Sequence, residues 1–456
     1  VTVLPSEPAH QRLAGLYPQR QDGLWMQRMR VPGGRLTASQ WHAVAALVRE
    51  LTPEQPLHLT TRQDLEIHGL RAEAVPAAQR QLVEAGLTSL GACGDTIRNV
   101  TVCPCSGVAP GAPELLGLAQ AITELLQSQA GAFSLPRKFK VSLSACADGC
   151  AQPWINDVGL VAKPGASGGW AFDAIVAGSL GALPATGIGF PLPLAADDAL
   201  PFVLAALRLF ERHGDRDNRR RARLRHVRQS LGDAVFLDLL ERELDAVKQE
   251  RDWPLVELAA PSAPLPARRQ LHFDDGNIAA DQAGALARLA GRDDLRLRLT
   301  NHHRLAIFGP DDQTLADAVA QVGLAQHAAA GPRVVACPGT RWCSRGLADT
   351  GALAAEVRRQ LQGHQAGDLL IAISGCPNGC AHTAVADVGA SGVLTGSPGQ
   401  RREAWNVVAG GERGKGPGLA LPVAGRLDLQ QAAARIAALA AETTEGPRAT
   451  SEVQDD

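Results

Sequence analysis

The chain predicts an α+β protein that carries its fold twice. Three observations point there: two like-worded strand segments 240 residues apart, a pair of Cys-x3-Cys loops in matching order, and a small strand–helix–strand pattern opening each half. Val31-Pro-Gly-Gly-Arg-Leu-Thr-Ala-Ser-Gln40 aligns with Phe273-Asp-Asp-Gly-Asn-Ile-Ala-Ala-Asp-Gln282. Leu59-Thr-Thr-Arg-Gln-Asp-Leu-Glu-Ile-His-Gly69 aligns with Leu299-Thr-Asn-His-His-Arg-Leu-Ala-Ile-Phe-Gly309. Cys103-Pro then matches Cys337-Pro, Ser144-Ala-Cys-Ala-Asp-Gly-Cys150 matches Ser374-Gly-Cys-Pro-Asn-Gly-Cys380, and Asp157-Val-Gly159 matches Asp387-Val-Gly389. The offset drifts only from 242 to 230 along the chain, as unequal loops would cause.

In chain order, the Ala/Leu-rich run Thr37–Leu51 reads as a helix and the alternating run Leu57–His68 as a strand. Further helices are expected at Pro113–Gln129, Pro201–His213 and Thr350–Gln362, the last opening on a Thr that resembles a cap. The Arg-rich run Arg216–Arg228 reads as an exposed helix whose charges face solvent. Pro254–Pro266, rich in Pro and Ala, is the expected linker between halves, and 443–456 the expected disordered tail.

With 456 residues, 45% hydrophobic and 20% charged, the chain supports several globular units. A formal net charge of −2 argues against nucleic acid as a bulk electrostatic partner, so any positive site must be local. No long apolar run suggests a membrane span, and Val1–His10 does not read as a secretory leader. Nine unevenly spread cysteines look like reduced, metal-binding thiols, which places the expected compartment in the cytoplasm.

Cys337, Cys343, Cys376 and Cys380 form a C-x5-C and C-x3-C set separated by 32 residues. Two loops that each offer two thiolates suit an iron–sulfur cubane; structural zinc, which favours tighter C-x2-C knuckles, and unliganded thiols are the other readings. Cys103, Cys105, Cys146 and Cys150 echo this set in the first half. They read as buried unliganded thiols, with a second metal site as the alternative. Cys93 has no paired partner and reads as structural.

Local positive charge has clear candidates in Arg62, Arg98, Lys138 and Lys140. Positions 138 and 140 of a strand share a face, so both ammonium groups can enter one cavity. Such a group would clamp a small oxyanion, with Arg supplying a planar fork and Lys also able to deliver protons. Each one alone reads more readily as a surface charge.

Together these motifs resemble the siroheme-dependent sulfite and nitrite reductases. The resemblance covers residues 14–440 and rests on Gly23-Leu-Trp-Met-Gln-Arg-Met-Arg-Val-Pro-Gly-Gly34, Thr60-Thr-Arg-Gln63, Arg98-Asn-Val100, Leu135-Pro-Arg-Lys-Phe-Lys140 and Gly375-Cys-Pro-Asn-Gly-Cys380. It implies ferredoxin-like half domains at 1–80 and 266–328, a siroheme-type domain at 90–255 and a 4Fe-4S/siroheme-type domain at 331–440. It further implies a [4Fe–4S] cluster on Cys337, Cys343, Cys376 and Cys380, with the Cys380 thiolate also reaching the siroheme iron. Arg62, Arg98, Lys138 and Lys140 match the family's anion-binding quartet, and Asn378 is expected to help seat siroheme. Family nitrite reductases often carry Asn at the position of Lys140, so the second Lys favours sulfite. No nicotinamide or flavin fingerprint is present, so a separate donor, ferredoxin or a flavoprotein subunit, is expected.

One departure matters. His382 stands where the family tends to carry Arg, so it is either a cofactor contact or ordinary polar lining. The Cys-Ala-His wording also occurs in precorrin-3B synthase, a cobalamin-synthesis relative that keeps a cluster and takes a corrin precursor as substrate. A non-catalytic electron-transfer protein is the third reading, though it has no use for two Lys and two Arg converging on a cavity.

Overall fold

The computed structural model describes residues 7–166, 168–328, 332–363, 369–414 and 416–445. Its architecture is the mixed α+β class, expressed in four sheets. The first sheet is antiparallel and runs Leu16–Pro18, Leu24–Met29, Leu65–Arg71, Leu57–Leu59 and, from the second half, Asn277–Ile278. Its counterpart is a three-stranded sheet of Ala267–His272, Arg304–Gly309 and Arg296–Leu299. Helix Ala38–Leu51 packs on helix Ala280–Ala290, and a single hydrophobic core, from Leu16 to Leu324, joins both units.

Helix Ala38–Leu51 starts where its cap chemistry dictates. The Thr37 hydroxyl accepts from the Gln40 N–H at 3.2 Å and the Gln40 side chain accepts from the Thr37 N–H at 3.0 Å. In the repeat, Gln282 still accepts from the Ala279 N–H at 2.8 Å, but Ala279 has no oxygen with which to reciprocate.

The two larger units share a parallel core that turns antiparallel. In the first, Thr101–Val102, Val141–Ser144 and Val158–Pro164 are parallel neighbours before Trp170–Val176 reverses. In the second, Arg333–Ala336, Leu370–Ser374 and Val388–Thr395 repeat the pattern before Arg402–Ala409 and Leu421–Leu427. Helices cover each sheet, including Ala199–His213 in the first and Leu429–Glu445 in the second. Both cysteine sets sit in loops leaving the C-terminal ends of parallel strands, where open α/β sheets place ligands.

Several sequence expectations are corrected. Leu57–His68 is not one strand but a hairpin, Leu57–Leu59 and Leu65–Arg71, turned at Thr60–Asp64 with Gln63 at φ 60°. The Gln63 side chain stabilises that left-handed turn by donating to Val102 and Leu299 carbonyls at 2.7 and 2.9 Å. The Arg216–Arg228 run becomes helical only at Leu224, in a helix that continues to Leu231, and Arg223 and Arg225 are buried rather than solvated. The cap before Thr350–Gln360 is Asp349, which accepts from the Ala352 N–H at 3.1 Å. Residues 443–445 of the expected tail complete the last helix, and 446–456 lie outside the described residues. Pro254–Pro266 contains no helix or strand, as expected of a linker. No helix among the described residues is long and apolar enough to cross a membrane.

Candidate functional site

The Thr60–Asp64 turn docks onto the second half. The Thr61 hydroxyl donates to the Cys380 carbonyl at 2.7 Å, which places Arg62 beside the last cysteine loop. Arg62 is fixed by donation to Asn156 Oδ1 at 2.8 Å and to the Val141 carbonyl at 2.9 Å, leaving its Nε buried without a partner. Asn99 holds the turn from behind, donating to the Arg62 carbonyl at 3.3 Å and the Val31 carbonyl at 2.9 Å. Burial, with Arg98 and Arg223 nearby, lowers Arg62 to about 9 despite the opposing charges of Asp64 and Asp157.

Lys138 and Lys140 precede strand Val141–Ser144, with Phe139 between them turned into the core. The expected shared face is therefore present, although an isolated bridge from Phe139 to Ile97 takes the place of a regular strand. Neither ammonium group forms an ion pair among the described residues. Burial lowers Lys138 to about 7, with the Cys380 thiolate opposing and Arg223, Arg98 and Arg137 adding to the depression. Lys140 is pushed well down by burial and then by Arg62, Lys138, Arg223 and Arg98.

The four expected cations thus converge, and two further arginines join them. Arg223 is held by Asp157 at 2.7 Å. Arg30 is buried and donates to the Ile97 and Arg98 carbonyls at 3.1 and 3.3 Å. Asp157 Oδ2 also accepts from the Lys140 N–H at 2.9 Å, so one carboxylate oxygen positions two of the pocket's cations. Arg223 was hidden from sequence reading by its charge-run surroundings; Arg30 lay within a motif already noted, and its alternation with Met29 and Val31 was the available signal.

His382 lies at φ 66°, buried, with its Nδ1 lacking a partner. Burial, then Lys140 and Arg62, lowers it to about 3, so the neutral imidazole faces the same cations.

The late cysteines come together around Cys380. Burial and the Cys380 charge raise the Cys337 thiol, while the Gly375 N–H donates to its sulfur at 3.2 Å. Burial raises Cys343 and Cys376 as well, and each also feels Cys380. Asn378 is exposed, and its side chain and N–H both donate to the Cys376 sulfur rather than reaching into the pocket.

The family model described as the nitrite and sulphite reductase 4Fe-4S domain matches residues 93–248 and 330–441. The chain belongs to the nitrite and sulfite reductase family. The ferredoxin-like half domain of the same family matches residues 17–85. The chain is 30% identical to the assimilatory ferredoxin-dependent nitrite reductase of Haloferax mediterranei, over 88% of this chain and 77% of that one. It is 29% identical to the ferredoxin sulfite reductase of Mycobacterium tuberculosis, over 88% and 79%. The solved structure of the NirA protein of Mycobacterium tuberculosis superposes with a TM-score of 0.76 at 25% identity, covering 91% of this chain and 82% of that one.

This nitrite and sulfite reductase family member is therefore an oxidoreductase with a [4Fe–4S] cluster and siroheme as its cofactors. The residues present fit both groups. Burial, and then the neighbouring Cys380, oppose ionisation of Cys337, Cys343 and Cys376, a poor arrangement for thiolates unless cations neutralise them, which cluster irons would do. Arg62, Arg98, Lys138, Lys140 and Arg223 face one another with too few carboxylates to balance them, and a polycarboxylate macrocycle with an anionic substrate supplies the missing charge.

Proposed function

We propose that the chain carries out the six-electron reduction of sulfite to sulfide, with nitrite to ammonia as the related activity. The observation that carries this reading is the pair of ammonium groups, Lys138 and Lys140, which lack a carboxylate partner among the described residues and lie beside Arg62 and Cys380. Cys337, Cys343, Cys376 and Cys380 would hold the cluster, and Cys380 would also face siroheme. When bound, these cofactors would supply the electrons for the reduction. Arg62 and Arg98 bind and orient the anion, their guanidinium groups fixed by backbone carbonyls rather than free to swing. Lys138 and Lys140 donate N–H bonds and protons to oxygens that leave as water. Asp157 keeps Lys140 and Arg223 in register. Electrons come from a separate donor, and ferredoxin is favoured because the relatives' names specify it.

Sulfite is preferred over nitrite because it carries more negative charge and gains more from a second Lys. Replacing Lys140→Asn and measuring turnover of both anions with a reduced dye tests this. We expect sulfite turnover to fall by about tenfold or more, the equivalent of ~1.4 kcal/mol, with nitrite turnover retained. Equal loss of both would overturn the assignment.

A second reading has its own observation in His382. A neutral imidazole in place of Arg, its Nδ1 without a partner among the described residues, weakens a carboxylate contact and suits a tetrapyrrole that exchanges, as in the corrin-synthesis relative. The visible spectrum separates the two: retained siroheme adds a Soret band and a red band, whereas a bare cluster leaves a broad brown shoulder.

A further inference from the structure

Besides Cys93, the first half contains four cysteines that the pocket does not use. Cys103, Cys146 and Cys150 occupy the repeat positions of Cys337, Cys376 and Cys380. Their backbone settings agree closely. The Ala145 N–H donates to Cys103 Sγ at 3.2 Å, as the Gly375 N–H does to Cys337 Sγ at 3.2 Å. Ser144 Oγ accepts from the Ala151 N–H at 3.3 Å, and Ser374 Oγ from the Ala381 N–H at 3.1 Å. Gln152 and His382 close the two loops at φ 60° and 66°. Only the fourth position differs: Cys105, two residues after Cys103, stands in place of a counterpart to Cys343.

The four thiols form a connected group. Cys105 and Cys146 both neighbour Cys103, and Cys150 neighbours Cys146. Ligand atoms of Cys146, Asp148 and Cys150 lie within 4.8 Å of one another, the only such trio of His, Cys, Asp and Glu among the described residues. All four are free thiols; Cys103 is buried and the other three are partly exposed, so an ion can reach them. Arg268 Nη1 lies 3.9 Å from Cys105 Sγ and supplies positive charge at the edge of the group.

Cys146 and Cys150 lie within 4.8 Å of each other and of Asp148; among the described residues no three of the four thiols, and no three of Cys337, Cys343, Cys376 and Cys380, are mutually that close. A single tetrahedral ion with metal–sulfur bonds of about 2.3 Å sets its sulfurs ~3.8 Å apart, so one binding here draws Cys103 and Cys105 in toward the Cys146–Cys150 pair. We propose that Cys103, Cys105, Cys146 and Cys150 form a second, mononuclear metal site for a thiophilic divalent cation of the zinc type. This departs from the expectation of unliganded thiols. Binding one such ion releases the four thiol protons and leaves a dianionic centre, which Arg268 faces. The site ties the ends of two parallel strands to the end of the linker, where the Leu265 N–H already donates to the Val108 carbonyl at 2.9 Å.

Metal analysis of the holoprotein, purified without chelators, tests the proposal. We expect about one zinc per chain beside the cluster iron, and thiolate-to-metal charge-transfer bands in the near ultraviolet when cells are grown with cobalt. Cys146→Ser should remove the zinc and leave cluster iron unchanged. Because that variant could fail to fold, zinc displacement by a mercurial is measured on unaltered protein, with about four thiols modified per zinc released. A protein with no zinc that takes up neither added zinc nor cobalt would overturn the proposal. So would extra iron and labile sulfide in amounts that indicate a second cubane, or zinc retained by folded Cys146→Ser.

Discussion

His68 stacks on Trp342 with ring centroids 4.3 Å apart and planes 21° from parallel, so a strand of the first half supports the residue just before Cys343. His58 meets the same indole edge-on at 6.2 Å. The four-residue helix Gly339–Trp342 is too short to hold itself, and this stack supplies the missing constraint on the C-x5-C loop. Trp342→Ala removes a contact worth about 0.5–1.5 kcal/mol beyond its buried area. Cluster absorbance should bleach up to ~10-fold faster with an iron chelator present, while Trp342→Phe stays near the parent rate. Equal bleaching rates in all three proteins would refute the role.

Asp157 is the keystone of the cation pocket, since one of its oxygens takes both the Arg223 guanidinium and the Lys140 N–H. Asp157→Asn leaves a buried guanidinium unpaired and should cost about 3–5 kcal/mol in urea unfolding. Removing Arg223 as well, in Asp157→Asn with Arg223→Met, should recover part of that loss, because the stranded charge goes with it. Strict additivity of the two single variants would show that the pair is not coupled.

Acid should attack the first sheet through Glu66. Burial opposes its ionisation, but Arg28 and His68 outweigh that and hold its carboxyl well below the ordinary range. A depressed folded value means this stabilisation is complete above the unfolded carboxyl value, about 4.3, and is lost as pH falls from there through the folded value. Glu66→Gln should therefore be less stable at neutral pH and show a shallower loss of stability below about pH 4.3. Parallel stability curves for the two proteins would count against this account.

The repeat, the two cysteine sets and the quartet Arg62, Arg98, Lys138 and Lys140 were legible because each is a local wording that recurs or alternates. Arg223 was not. Its burial depends on Asp157, 66 residues earlier, and nothing inside an arginine run says which member finds a buried carboxylate. The hairpin at Thr60–Asp64 was missed for a similar reason. It contains neither Gly nor Pro, and its left-handed Gln63 is stabilised by carbonyls of Val102 and Leu299 that only the assembled halves bring near. Asn378 could be placed in the right loop, but only the structure directs its amide to the Cys376 sulfur.

The pseudo-twofold contact between the halves makes the sharpest stability prediction. Gly34, at φ +68°, would direct a Cβ to within 2.9 Å of the Leu299 carbonyl oxygen; Gly276, at φ +73°, would direct one to within 2.9 Å of the Leu59 carbonyl oxygen. Each glycine thus lies against the equivalent strand end of the other half, where backbone cannot easily retreat without opening the shared core. Gly23 has a similar φ, +75°, but nothing within 4 Å of its would-be Cβ, so Gly23→Ala isolates the backbone strain, about 1–2 kcal/mol. Gly34→Ala and Gly276→Ala should each exceed that control by ~1–3 kcal/mol in urea unfolding, the usual cost of forcing extra atoms into packed space. If all three substitutions cost the same, the close approach between the halves is not what these glycines serve.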